Sequence, residues 1–228
     1  MIYTIHQPNY LPYLGFFEKA YRSDVFVIYD TTQFRKNDWQ NRNRICTSES
    51  WQWLSIPIIH NFGQKIKEVE IDQPKKPLKK NWNSIKTVYG KAPFFKDYAG
   101  TFEEIYNRDY NLISDLNFDL IMAIANILEL KTKFIKNSSL PPIDTFSTKA
   151  LIDICRNVNA DTYISGSEGR NYLNLELFEE AKIKIIFQNY KHPQYTQFNN
   201  RTFQPYMSAI DLIFNYGGDS LKILLSGN

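Results

Sequence analysis

The chain has 228 residues, 43% of them hydrophobic and 22% charged, with a formal charge of +3. A chain of this length buries roughly 70% of its unfolded surface without staples, and so small a charge excludes a strongly basic, sequence-independent nucleic-acid binder. Cys46 and Cys155 stand far apart and alone, which excludes a CxxC metal motif and a disulfide framework and leads to the expectation of a reduced, cytoplasmic protein.

In chain order, Ile2 to His6 reads as a short strand. Tyr13, Phe16, Phe17, Ala20 and Tyr21 then recur at i, i+3, i+4, i+7 and i+8, one face of a helix, with Pro12 suited to its first position. Val25 to Tyr29 is a continuous β-branched and aromatic run, as in a buried strand, so residues 2 to 30 form a β-α-β unit over a parallel sheet. Trp51 to Ile59 and Lys65 to Ile71 read as a hairpin turning at His60 to Gly63. From Pro77 to Glu129 the periodicity is helical, clearest in Leu112, Ile113, Leu116, Leu120, Ile124, Ile127 and Leu128. Lys131 to Phe146 is a polar connection, and a helix from Ser147 carries Leu151, Ile154, Cys155 and Val158 inward. Thr162 to Ser165 and Ile183 to Phe187 are strands around a helix at 174 to 181. Ser208 to Tyr216 and Asp219 to Leu225 close the chain as helices separated by Gly217-Gly218.

The expected architecture is one α/β domain over residues 1–228, with a Rossmann-like, mostly parallel sheet, a β-hairpin and a helical section at 77–157. No basic region followed by an apolar one suggests a signal peptide. Leu116 to Leu130 is interrupted by Asn117, Asp119 and Asn126, so no transmembrane segment is expected.

Each expected sheet strand is followed by a polar loop: His6 to Tyr10, Asp30 to Gln33 continuing to Lys36 and "WQNRNR", Ser165 to Arg170, and Gln188 to Pro193. In an open parallel sheet these lie together beyond the carboxyl ends of the strands, where ligands bind. His6, Asp30 and His192 are the candidate catalytic residues, because histidine titrates near neutral pH and a carboxylate orients it. Gln7, Asn9, Tyr10, Gln33, Lys36, Trp39, Asn41, Arg42, Ser165, Gly166 and Arg170 are the candidate substrate-binding residues of these loops. Among them Arg42 and Arg170 suit phosphate or carboxylate, and Tyr10 and Trp39 suit stacking. A solvated surface charge is an equally ordinary reading for Lys36 and Arg44, as is a plain turn for "SGSEGR". Ser208 and Asp211 read as a helix-capping pair. There is no GxSxG elbow, HExxH motif or metal-ligand spacing, so no covalent nucleophile and no metal are assigned.

"HQPNYLPYLGFFEKAYRSDVFVIYDTTQF", "NRNRI", "WLSIPI", "YGKAPFF", "TYISGSEGRNYL", "HPQYTQF" and "SAIDLIFNYGG" together resemble the WbqC-like family, in order from about Ile2 to Gly218. The resemblance implies a bacterial surface-polysaccharide (O-antigen) setting and a transferase role, glycine transfer among the proposals. Its motif positions include His6, Gln7, Asn9, Tyr10, Asp30, Gln33, Asn41, Arg42, Gly166, Tyr172, His192 and Gln197, which adds Tyr172, suited to stacking, and Gln197 to the candidate substrate-binding residues. Residues 4 to 34 are also faintly similar to HUP-type nucleotidyl-transferring enzymes, in Gly15 and "SDVFVIYD". Tyr13 and Phe16 stand where that motif has its two phosphate-steadying histidines, which counts against ordinary adenylylation. The expected function is therefore aminoacyl or acyl transfer to an amino sugar or sugar nucleotide. A non-catalytic sugar-nucleotide or glycan-assembly binder is the alternative, and a nucleic-acid-modifying protein is less favoured. A small-molecule or sugar-nucleotide substrate is expected and no nucleic-acid partner. No cofactor or oligomeric state follows from the residues.

Overall fold

The structure, a computed structural model, describes residues 1–198 and 202–227. Its elements begin with β1 (Ile2–His6), α1 (Leu14–Tyr21) and β2 (Val25–Ile28), followed by β3 (Arg42–Cys46), β4 (Trp51–Ser55), β5 (Ile58–Ile59) and β6 (Glu70–Ile71). Three helices, α2 (Pro77–Tyr89), α3 (Phe95–Tyr106) and α4 (Ile113–Ile127), precede β7 (Lys133–Lys136). The chain then runs α5 (Ser147–Asn157), β8 (Thr162–Ser165), α6 (Leu175–Glu180), β9 (Lys184–Phe187), α7 (Ala209–Tyr216) and α8 (Ser220–Leu225).

Five strands form one all-parallel sheet in the order β7-β2-β1-β8-β9, a Rossmann-like α/β arrangement. The chain winds outward from β1 through β2 to β7, then crosses back to β8 on the other side of β1. Alternation along the strands divides the interior. Tyr3, Ile5, Val25 and Val27 pack with α5 and α6, through Leu151, Ile154 and Phe178. Phe26 and Ile28 face α1 and the larger core formed by α2, α3, α4 and α7. Phe214 of α7 anchors that core, its ring 5.3, 5.0 and 5.5 Å from those of Tyr89, Phe95 and Phe102.

Three local expectations are corrected. The 131–146 connection contains the edge strand β7, whose Lys133 and Lys136 flank only two apolar residues; charged ends blunt an exposed sheet edge and also hide the strand pattern. The hairpin pairs differently. The main partner of β4 is β3, with Arg44 opposite Trp53, while β5 and β6 pair over two residues only. Pro12 lies two residues before α1, because Tyr13 stays extended and bridges Ser208. In addition, Tyr21 is exposed rather than on the buried helix face.

The loop from Gln7 to Tyr13 is buried at Pro8, Asn9, Tyr10, Leu11 and Pro12, with Leu11 in the left-handed region at φ 43. A buried loop must satisfy its backbone without a regular ladder. Asn43 of β3 donates to the carbonyls of Tyr10 (3.1 Å) and Leu11 (2.7 Å). Asn117 of α4 donates to those of Pro8 and Gln40, both at 2.8 Å. Tyr10 N–H reaches Trp39 O at 2.9 Å, and Pro12 O accepts from Ala209 N at 2.8 Å. Asn43→Ala strands two buried carbonyls and is expected to cost about 2–4 kcal/mol, read as a lower urea midpoint with an unchanged m-value.

Candidate functional site

The connections after β1 and β8 leave in opposite directions, which opens a crevice at the carboxyl ends of these adjoining strands. Thr4 is opposite Ile164 in the ladder, so the register carried on by two residues sets His6 level with Gly166. Nothing occupies the space within 4 Å of where a Gly166 side chain would begin.

His6 is half-buried, with its ring edge-on to Phe16 at 5.1 Å. Its Nδ1 lies 3.0 Å from Gln7 O. A carbonyl only accepts, so Nδ1 carries the proton and Nε2 keeps a lone pair. Burial, together with the charge of Lys19, lowers the imidazole to about 3, and the bond to Gln7 only partly opposes this. His6 is thus a neutral imidazole of fixed tautomer at pH 7, and a weaker proton acceptor than the near-neutral histidine expected from the sequence.

Lys19 is buried, and its Nζ donates to Ile5 O at 3.2 Å. Desolvation lowers it to about 7, against the raising effect of Glu18. Glu18 is fully buried and is held by Arg22 at 3.3 Å and by Gln188 Nε2 at 2.5 Å. Gln188 also reaches Gly15 O at 2.8 Å. The loop after β9 is thereby tied to α1. The ring of Tyr13 covers Gly15 so closely that a Cβ there would lie 2.5 Å from it. Sequence reading overlooked Glu18 and Lys19 because they sit opposite the obvious apolar face of α1; residues 14 to 20 are all buried, so α1 has no solvent face there to hold them.

The other expected site residues separate into groups. Ser165 is fully buried and donates to Gly166 O at 3.1 Å; a Cβ on Gly169 would lie 2.1 Å from its hydroxyl, so Ser165 serves packing. Arg170 lies over the Phe187 ring at 4.3 Å, and Tyr172 is exposed, both on the loop after β8. Gln7 joins the loops, accepting from Gln40 at 2.6 Å and donating to Thr32 at 3.2 Å. Gln33 is exposed and bridges Lys65 through its backbone.

Four more of the expected site residues are buried. Tyr10 is 0% exposed, its hydroxyl 2.5 Å from Tyr106 and 3.0 Å from Asn81, so it belongs to the core. Asn9 is buried within the clamped loop. Gln197 is buried against Asp211 (2.9 Å) and Gln204. Asp30 does not orient His6; its carboxylate accepts from Ser138 N at 2.9 Å and Ser138 Oγ at 2.5 Å, fastening β2 to the turn after β7. The expected capping pair also differs. Ser208 caps α7 weakly at 3.4 Å, whereas Asp211 is buried and accepts from Tyr89, Tyr195 and Gln197.

His192 donates Nδ1–H to Pro193 O at 2.9 Å. Its Nε2 is buried without a partner among the described residues, as is the Tyr190 hydroxyl. Rings of Tyr206, Phe203 and Tyr195 lie 5.1, 5.7 and 6.3 Å away, and burial lowers its pKa. Among the described residues no hydrogen bond or ring contact joins His6 to His192. No group of three or more His, Cys, Asp or Glu side chains is placed to hold a metal ion among the described residues.

A cavity of about 490 Å³ lies beside the hairpin, lined by Lys36, Asn41, His60, Lys75 and Ile58 among others. Asn41 donates to Ile56 O at 3.0 Å, and its Oδ1 is buried without a partner among the described residues. Lys36 and Asn41 therefore belong to this cavity, with Trp39 and Arg42 on the adjoining hairpin face. His60, which sequence reading took only as a turn residue, lines it.

His6 titrates near 6.5 when unfolded and near 3 when folded, so the unfolded chain binds the extra proton between these values. Its contribution to stability is complete above pH 6.5 and is lost as pH falls toward 3, by up to about 1.4 kcal/mol per unit. In urea titrations from pH 7 to 4, His6→Gln is expected to lose stability less steeply than the wild type.

No helix among the described residues is long and apolar enough to cross a membrane. No solved structure matches the chain. Uncharacterized protein Rv1507c of Mycobacterium tuberculosis is 34% identical over 221 residues, covering 95% of this chain and 94% of that protein. The model of the WbqC-like protein family matches residues 7–223, which takes in three of the four strand-end loops whole and the first from Gln7 onward. The chain therefore belongs to the WbqC-like protein family.

Proposed function

We propose that this protein is a cytoplasmic enzyme of surface-polysaccharide biosynthesis that transfers an acyl group, aminoacyl (glycyl) in its expected form, to the amine of an amino sugar or sugar nucleotide. The observation that carries this reading is the crevice between β1 and β8, where His6, with its proton on Nδ1 and Nε2 left to accept, stands level with the open Gly166 turn.

An amine must lose a proton as it attacks a carbonyl, and a positioned imidazole accepts it. The new C–N bond forms, the bond from the acyl carbon to its leaving group breaks, and His6 Nε2 passes the proton to that leaving group. Backbone N–H groups of the Gly166–Ser167 turn suit the developing oxyanion. Arg170 and the exposed Tyr172 on the same loop suit the phosphate and the sugar or base of a nucleotide-linked acceptor. Lys19 is a positioning residue. Its charge weakens His6 as a base, and losing that charge at about pH 7 makes His6 more basic.

A thermal-shift screen of nucleotides, nucleotide-linked amino sugars and amino acids identifies the bound substrate by its raised midpoint. Turnover of that substrate with acyl-thioester and glycyl donors is then expected to fall about 10²–10⁴-fold in His6→Ala. Lys19→Met should retain turnover but lose the rise in rate near pH 7. Full turnover by His6→Ala removes the reading, and tight binding without turnover from any donor class favours a non-catalytic sugar-nucleotide binder.

A further inference from the structure

The outer face of the β3–β4 hairpin has no role in the crevice chemistry, and its composition is unusual. Residues alternate across a strand, so the solvent face of a hairpin is ordinarily polar. Here β4 presents Trp51 and Trp53 and β3 presents Arg42 and Arg44, with Trp39 laid over them from the preceding loop. Three of the chain's four tryptophans are thus 36–40% exposed on one patch.

The five side chains interleave. The Arg42 guanidinium lies 4.2 Å from the Trp53 ring centre, and that of Arg44 lies 5.2 and 5.5 Å from those of Trp51 and Trp39. The Trp53 ring is 5.4 Å from Trp51 and 5.6 Å from Trp39. Both arginine Nε atoms are covered and have no partner among the described residues. One Nη of Arg42 donates to Asn37 O, and one of Arg44 donates to Tyr206 O at 3.3 Å. Each arginine is held at one end by a backbone carbonyl and at the middle by indoles, which leaves its other Nη toward solvent. The nearby Asp38 carboxylate is engaged by Trp39 N at 2.7 Å.

We propose that this face binds an acidic oligosaccharide: sugar rings lie on the indoles, and a carboxylate is taken by Arg42 and Arg44. The charge of the patch fits such a ligand, since it carries two guanidinium groups and each has one Nη left to donate to a carboxylate oxygen. The ring geometry separates it from a nucleic-acid platform. Trp51 and Trp53 are inclined at 84°, and Trp39 and Trp53 at 49°. Such stepped faces meet puckered sugar rings through their C–H bonds one at a time, whereas successive bases stack on a series of aromatic faces along a positively charged groove. Two arginines in a chain of formal charge +3 do not make a phosphodiester track.

This inference is independent of turnover at His6, and binding is its readout. Indole fluorescence titrations compare hexagalacturonate, uncharged maltohexaose and an oligo-dT of equal charge. Hexagalacturonate should quench saturably, with maltohexaose and oligo-dT each at least about tenfold weaker. Trp53→Ala and the pair Arg42→Gln/Arg44→Gln should each weaken hexagalacturonate binding by about tenfold or more, near the ~1.4 kcal/mol that a factor of ten represents. Trp51→Ala replaces Trp53→Ala if the latter lowers the melting temperature. Absence of hexagalacturonate binding, oligo-dT binding of equal strength, or unchanged affinity in the tryptophan variants overturns the proposal.

Discussion

The fold turns on a loop that has no ladder of its own. Between β1 and α1 the chain buries Pro8 through Pro12, and two asparagine side chains replace the missing hydrogen bonds. Asn43 arrives from the hairpin and Asn117 from the helical section, while Ala209 N supplies a third contact from the C-terminal helices. Every major insertion is therefore fastened to the first sheet loop. This is a costly place to leave a carbonyl unpaired, because the same low dielectric that strengthens these bonds penalises their loss. The two prolines restrict the loop's unfolded freedom, and the amides set its folded shape. His6 and Gln7 lie at the entrance of this clamp, which gives the crevice one rigid wall.

A second constraint acts through charge. Glu18, Lys19 and Gln188 are buried around α1, and Lys19 sits beneath His6. Buried charge persists only where partners offset desolvation. Glu18 has Arg22 and Gln188, whereas the Lys19 ammonium meets the Ile5 carbonyl and lies over the Phe26 ring, 5.8 Å from its centre. The consequence is a lysine drawn toward neutrality and a histidine kept from charging, on adjoining elements of the sheet edge. Perturbation of this kind concentrates at functional sites, and here its causes are burial and proximity on the helix that follows the first strand.

Much of the α/β plan was legible from local pattern. The β-branched run at 25–28, the helical period through 77–127 and the polar loops after the strands read correctly, because each depends on neighbours within a few residues. Lys133–Lys136 did not, since an edge strand with lysines at both ends has too few apolar positions to show its period. The hairpin partner was missed for a related reason: Arg42 and Arg44 look like loop charges until Trp53 and Trp51 are set beside them. Tyr10 looked like a ligand group because it follows the first strand, and Gln197 because it is a family motif position, yet Tyr106 and Asn81 meet Tyr10 from far along the chain and Asp211 and Gln204 hold Gln197.

The sequence by itself determined the periodicities, four of the five strands of the parallel sheet, the WbqC-like motifs and the placement of His6 and Gly166 at strand ends. These follow from side-chain alternation, turn chemistry and residue identity. Only the tertiary structure decided which polar groups are spent on the fold. It buried Lys19 beneath His6, gave Asp30 to Ser138, and gathered Trp39, Trp51 and Trp53 onto one arginine-bearing face. Burial and hydrogen-bond partnership are properties of what packs against a residue, and those partners lie tens of positions away.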